Sequence, residues 1–207
     1  TPQDMDPVLE SEPLDPESPY GTSKLMTEMM LKDVAAAHPL TYACLRYFNV
    51  AGADPAGRTG QSTRNATHLI KVATQAALAK RPYMEVFGTD YPTPDGSCIR
   101  DYIHVTDLVE AHYLALGHMR KTGQSLTVNC GYGHGQSVFD VVETVKRVSG
   151  ADFEVRLAGR RAGDAISIVA NSDRARQTLG WSPRFDNLDE IVSHALRWED
   201  ALARRNT

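Results

Sequence analysis

Short apolar runs alternate with longer stretches of helical periodicity from Thr41 to the end of the chain, and this alternation constrains the fold more than any other feature. Runs at Thr41–Phe48, Met84–Phe87, Ile99–His104, Ser125–Cys130 and Phe153–Leu157 have strand length and are bounded by Gly, Pro or Asp. The first reads as a buried strand. Between them lie helix patterns: Thr67–Lys80, with Leu69, Ala73, Ala76 and Ala77 on one stripe, then a helix capped by Thr106 carrying Leu108, Ala111, Ala115 and Met119. A helix from Ser137 carries Val138, Val141, Val142, Val145 and Val148, and two more form around Asp173 and Leu188. Ahead of Thr41, Ser18-Pro19 offers a hydroxyl cap followed by Pro at the first helical position, and that helix runs to about Ala37 before Pro39 stops it. Thr1–Pro19 is rich in Pro and acids and reads as a loop. Strands separated by helices predict an α/β fold.

Composition excludes several classes. The chain has 207 residues, enough for one ordinary domain or one and a half small ones, and 22 Lys+Arg against 26 Asp+Glu leave a net charge of -4. No basic field points to nucleic acid or an anionic membrane surface. No apolar run approaches the roughly 20 residues of a membrane span, and no signal-peptide pattern opens the chain. Cys44, Cys98 and Cys130 are odd in number and far apart, which fits a reduced cytoplasm rather than a disulfide scaffold or zinc ribbon. The histidines show no ligand spacing, so no metal is expected. A chain that starts at Thr1 rather than Met is expected to be processed or partial.

Four patterns could carry chemistry. Tyr20 and Lys24 lie one turn apart on one helix face. An ammonium beside a phenol favours the phenolate, and a phenolate is the base that removing a sugar hydroxyl proton calls for. The bland reading is a chance pair on a surface helix. Arg46-Tyr47-Phe48-Asn49 ends a strand and enters a Gly-containing loop, where ligands gather in open α/β sheets. Tyr47 and Phe48 could equally be core. Arg100-Asp101 sits in an otherwise apolar strand and Arg160-Arg161 with Asp164 in a loop after another, and guanidinium forks match phosphate geometry. Surface ion pairs are the alternative there. Gly131-x-Gly133-x-Gly135 has the wrong spacing for a dinucleotide fingerprint and reads as a tight strand-to-helix turn. Met26, Met29 and Met30 read as core or as a helix-helix contact.

Taken in order, the runs Ser18-Pro-Tyr-Gly-Thr-Ser-Lys24, Arg46-Tyr-Phe-Asn-Val-Ala-Gly52, Thr67-His-Leu-Ile70, Phe87-Gly-Thr-Asp-Tyr-Pro-Thr-Pro-Asp-Gly96, Ile99-Arg-Asp-Tyr-Ile-His-Val105, Gly159-Arg-Arg-Ala-Gly-Asp164 and Leu179-Gly-Trp-Ser-Pro183 resemble the extended short-chain dehydrogenases/reductases. The set is similar to the UDP-glucose 4-epimerases among them, and it covers nearly the whole chain. The resemblance implies the C-terminal part of a Rossmann-type parallel sheet plus a smaller α/β substrate-binding lobe. Residues 1–51 and 98–130 would be the remainder of the NAD-binding domain, and 52–97 and 131–207 the UDP-sugar lobe.

It further implies roles. Tyr20 would take the proton from the sugar 4-hydroxyl while hydride passes to NAD, with Lys24 binding the nicotinamide ribose and Phe48 packing beside the nicotinamide. Asn49, His68, Leu69, Glu85, Val86, Phe87, Arg100, Arg161 and Asp164 would hold the UDP-sugar. The 4-keto sugar would turn over and take the hydride back on its other face, so the net reaction is isomerisation. A homodimer is implied, through the helix around Met26 and Met30. Two departures stand out. The family's Gly-rich NAD fingerprint and its sugar-binding Ser or Thr precede the Tyr-x-x-x-Lys motif and are absent from this sequence, so this chain alone is expected to be incomplete and inactive. Lys71 stands where many of the family carry Pro. Another extended-family enzyme of nucleotide sugars, a 4,6-dehydratase or a decarboxylase, and a non-catalytic nucleotide-sugar-binding fragment remain as alternatives.

Overall fold

A computed structural model of the chain describes residues 6–205. Helix α1 (Pro19–Ala37) opens as its sequence requires: the Ser18 hydroxyl accepts from the Gly21 amide at 3.1 Å, with Pro at the first position. Then follow β1 (Ala43–Tyr47), β2 (Asn49–Ala51), α2 (Leu69–Ala77), β3 (Tyr83–Phe87), β4 (Ile99–Arg100), β5 (Tyr102–His104), α3 (Val105–Thr122) and β6 (Leu126–Cys130). The chain continues through β7 (Gln136–Ser137), α4 (Val138–Ser149), β8 (Glu154–Ala158), β9 (Ser167–Ile168), α5 (Asp173–Leu179) and α6 (Leu188–Arg205). The pairs β1–β6, β2–β5 and β3–β8 are parallel, as crossovers through helices demand, and β4 lies between antiparallel β7 and parallel β9. This is the expected α/β architecture.

The core forms where apolar stripes and strands meet. Val141, Val142 and Val145 of α4 bury against Ile191 and Val192 of α6 and against α2, while α3 packs on β1, β5 and β6. Trp181, only 2% exposed, fills the region beside α3 and donates its indole N–H to the Asp107 carbonyl at 3.0 Å.

Several local expectations are corrected. The run Thr41–Phe48 is not a buried strand: within β1 only Cys44 is buried. Burial and the nearby Glu28 carboxylate raise the Cys44 thiol above its ordinary value. On α2 the buried residues are Ile70, Lys71, Ala73, Thr74 and Ala76, so Leu69 and Ala77 flank the buried stripe. Thr106 is not the cap of α3; the His104 imidazole accepts from the Thr106 amide at 3.0 Å, and Thr106 lies inside the helix. Met26, Met29 and Met30 are 55%, 57% and 56% exposed, and no described residue of α1 is buried.

The run Ile99–His104 is two strands in different sheets, with Asp101 at the break. Its amide donates to the Ile168 carbonyl and its carbonyl accepts from the Asn49 amide, so its backbone joins both sheets. Its buried carboxylate accepts from the amides of Tyr132 (3.0 Å), Gly133 (3.2 Å) and Ala170 (3.2 Å). Burial holds this acid above the ordinary carboxylate range even though the three amides favour its charge. Asp101 is therefore a fold-holding acid, and Arg100 is not its partner.

Candidate active site and nucleotide pocket

Strand β3, the start of α2 and the ends of β2, β4 and β5 frame a cavity of about 610 Å³, within the range of small-ligand sites. Asn49 opens β2, His68 and Leu69 sit at the start of α2, and Glu85, Val86 and Phe87 come from β3. Arg100 ends β4, and Arg161 and Asp164 lie on the loop after β8. All nine residues expected to hold a nucleotide sugar thus line one cavity, although the chain positions them from 49 to 164. Tyr20, Lys24 and Phe48 are not on its wall.

The charge of the cavity is mixed. Arg161 donates from Nε to Asp164 at 2.8 Å, and its guanidinium lies 4.8 Å from the Phe87 ring centroid, held by an ion pair and a cation–π contact together. Arg100 donates to the Ile99 carbonyl at 2.8 Å. Arg160 behaves differently from its neighbour. It bonds Asp90 at 2.7 Å, lies 4.1 Å from the Tyr91 ring centroid and does not line the cavity. Hydrogen bonding from Arg160 holds Asp90 below its ordinary value. Only one of the two adjacent arginines therefore faces the cavity. Arg81, Tyr83 and Cys98 also line it and lie outside every motif read from the sequence, while Thr67 lines it from the head of the Thr67–Ile70 run. Tyr102 closes part of the wall, and burial pushes its phenol well above the usual range, so it stays neutral.

Helix α1 contributes no residue to the wall of this cavity. Arg46 of β1 donates from Nε and NH2 to the two Glu28 carboxylate oxygens at 2.9 and 2.6 Å. Tyr20 lies two turns before Glu28 on α1, about 12 Å along the helix axis. Lys24 Nζ is 5.1 Å from the Tyr20 ring centroid, and Tyr20 is 73% exposed.

The glycine turn after β6 does not cradle a diphosphate. A Cβ on Gly131 would meet Asp101 Oδ2 at 2.4 Å, and one on Gly135 would meet the Ile99 side chain at 2.2 Å. The start of α4 is filled by two acids: Asp140 of the helix forms a capping box with Ser137, and Asp95 from the loop before β4 accepts from the Ser137 hydroxyl. Two carboxylates at a helix N-terminus repel a further anion. Close packing explains these glycines, as a tight turn requires.

The model of the NAD dependent epimerase/dehydratase family matches residues 1–131. The chain belongs to this family. Among curated relatives of this epimerase/dehydratase chain, a UDP-glucose 4-epimerase of Azospirillum brasilense is 60% identical over 196 residues, covering 95% of this chain and 56% of the relative. A crystal structure of UDP-glucose 4-epimerase from Stenotrophomonas maltophila, with bound NAD and formylated UDP-arabinopyranose, superposes with a TM-score of 0.93 at 36% identity, over 98% of this chain and 61% of that one. Another, from Bifidobacterium longum in complex with NAD+ and UDP, gives a TM-score of 0.87 at 35% identity over 94% of this chain and 58% of that one. The chain thus spans less than two thirds of the length of these relatives. Among the described residues, no helix is long and apolar enough to cross a membrane.

Proposed function

We propose that this chain carries the acid/base helix and the nucleotide-sugar pocket of an enzyme that epimerises a UDP-hexose at C4, interconverting UDP-glucose and UDP-galactose through a 4-keto intermediate. The observation that carries this reading is the single cavity of about 610 Å³ walled by all nine expected binding residues. Arg100 and Arg161 supply the guanidinium charge that a diphosphate needs, and Asp164 orients Arg161. Strand β3 has a ladder partner in β8, and Glu85, Val86 and Phe87 meet the cavity. Alternating amides and carbonyls along such a strand suit the edge of a uracil. Asn49 and His68 stand where the sugar hydroxyls or phosphates would lie.

Tyr20 and Lys24, one turn apart on α1 with Lys24 Nζ 5.1 Å from the Tyr20 ring centroid, and Phe48, which follows β1 directly, are the residues that would face a nicotinamide cofactor. NAD, when bound, supplies the hydride acceptor and donor that epimerisation requires. Tyr20 acts as the base for the sugar 4-hydroxyl proton and returns it to the 4-keto oxygen, with Lys24 keeping a positive charge beside it. The cofactor-binding assignment to Tyr20, Lys24 and Phe48 belongs to this proposal, as do the homodimer and a cytoplasmic site of action. So does the division into a Rossmann remainder, 1–51 with 98–130, and a UDP-sugar lobe, 52–97 with 131–207. Packing of α2, α4 and α6 on one another, and of α3 on β1, β5 and β6, supports that division, while α5 packs on α3 and β6, and β4 pairs with β7 and β9, across its boundary. We read turnover as a property of a protein of its relatives' length, which the exposure of α1 supports, and UDP binding as a property of this chain.

Calorimetric titration of the chain with UDP tests the pocket. Saturable binding that weakens in Arg161→Ala and in Arg100→Ala is expected; absence of binding at millimolar UDP would overturn the reading.

A further inference from the structure

A second cavity, of about 400 Å³, adjoins the first, and Asn49, His68, Leu69 and Tyr102 belong to both walls. His68 stands at this junction. It occupies the N-cap position of α2, yet its ring makes no capping bond to the helix. Its Nδ1 instead lies 2.7 Å from the side-chain Nε2 of Gln61, seven residues upstream. A carboxamide nitrogen carries hydrogens and no lone pair to accept with, so Nδ1 is the acceptor. The imidazole proton then resides on Nε2, and the ring presents a fixed N–H donor.

Gln61 is itself held with unusual thoroughness for a loop residue. Its backbone carbonyl accepts from Lys71 Nζ at 2.9 Å and from the Trp198 indole at 3.1 Å, which uses both of its lone pairs. The neighbouring Gly60 presses against the same indole, where a Cβ would come within 2.5 Å of the ring. Lys71 is 7% exposed and ion-paired with Glu199, which is 4% exposed and which also receives Lys80 at 2.9 Å. Burial works against the charge on Glu199, but its bonds to Lys71 and Lys80 outweigh that and keep its carboxyl below the ordinary value. A buried ion pair costs desolvation and is a poor source of stability, so its use here to fix one loop carbonyl calls for a reason beyond folding.

We propose that Gln61 is a positioning residue for the nucleotide-sugar site: it holds the His68 imidazole in one orientation and one tautomer, and the buried Lys71–Glu199 pair with Trp198 holds Gln61. The inference rests on the reading of the larger cavity as that site. Through it, His68 acts on the ligand as a pre-oriented donor to an anionic or hydroxyl oxygen, and part of the ordering entropy of binding is met before the ligand arrives.

The test combines the free chain and its UDP titration. Nitrogen-15 spectra of the free chain are expected to show His68 protonated at Nε2, and Gln61→Ala to give a mixture of tautomers. Gln61→Ala is expected to weaken UDP binding about three- to tenfold, the reach of one hydrogen bond, with an unchanged urea midpoint. In a His68→Ala background the same substitution should add nothing. Gln61→Glu, which can only accept, should draw the ring proton onto Nδ1, leave Nε2 without a hydrogen to donate and weaken UDP binding as Gln61→Ala does. If the parent binds UDP but Gln61→Ala binds equally well, or its effect adds to that of His68→Ala, the positioning role is overturned while the pocket stands. If the parent does not bind UDP, the pocket reading and this inference fall together.

Discussion

Glu28 and Arg46 lock α1 to the strand that leads into the cavity, through two parallel bonds of 2.9 and 2.6 Å between a half-buried guanidinium and carboxylate. Arg46 also donates to the Glu10 carbonyl at 3.2 Å, and the Glu10 side chain accepts from the Asn129 amide of β6 at 2.7 Å. One arginine thus ties the helix bearing Tyr20 to β1 and, through the segment at Glu10, to β6. No described residue of α1 is buried, so these bonds take a share of its anchoring that apolar packing usually supplies. Arg46→Lys removes the bidentate geometry and keeps the charge. Amides of α1 should then exchange about tenfold faster, a loss of about 1.4 kcal/mol in local stability, while those of α4 stay unchanged. Unchanged exchange in α1 would show that other contacts hold the helix.

Tyr20→Phe deletes the phenolic oxygen on an exposed helix face and leaves the cavity wall intact. In a protein of the relatives' length, turnover of UDP-galactose should fall by at least about a hundredfold, the lower reach of general acid–base catalysis, with UDP affinity unchanged. Undiminished turnover would remove Tyr20 from the chemistry.

Arg161→Ala takes one of the guanidinium groups out of the cavity. A charge-assisted bond to phosphate is worth about 1.5–3 kcal/mol, so UDP affinity should drop by about ten- to a hundredfold. Arg161 is 56% exposed in its side chain, so the thermal midpoint should move little. Arg160→Ala is the control: its guanidinium is engaged with Asp90 and Tyr91 outside the cavity, and UDP binding should be preserved.

Asp101→Ala would strand three amides at the junction of two sheets. The expected cost is about 3 kcal/mol or more, read as a lower urea midpoint. Asp101→Asn keeps an acceptor in place and should cost less.

Stability should fall on mild acidification through His104. The ring is buried, bonds His194 at 3.0 Å and stacks on Phe185, and burial, reinforced by His194, lowers it from 6.5 to about 4 against the opposing pull of Asp107 and Asp54. The unfolded chain therefore binds a proton that the fold refuses, so stability is full above about pH 6.5 and is lost as pH falls toward about 4. The loss at the foot of that window is about 3 kcal/mol. Urea titrations from pH 7.5 to 4.5 should show this slope, and His104→Asn, which can still cap α3, should flatten it.

The sequence by itself determined the helices and the longer strands in their order, but not the short strands β2, β7 and β9. Ser18-Pro19 sets where α1 begins, because a hydroxyl cap and a preset φ act within one turn. The valines of α4 and the parallel pairing follow from periodicity and from helices placed between strands. The family resemblance named Asn49, Arg100 and Arg161 in advance, and these three meet in the wall of the larger cavity. Only the tertiary structure decided which side chains meet. The break at Asp101 depends on amides 31, 32 and 69 residues away, and the Lys71–Glu199 pair spans 128 residues. Arg160 and Arg161 are adjacent and alike in sequence, and they part because one finds Asp90 across a loop and the other faces the cavity. Local propensity reaches three or four residues along the chain; desolvation, ion pairing and the sharing of a cavity depend on distance in space.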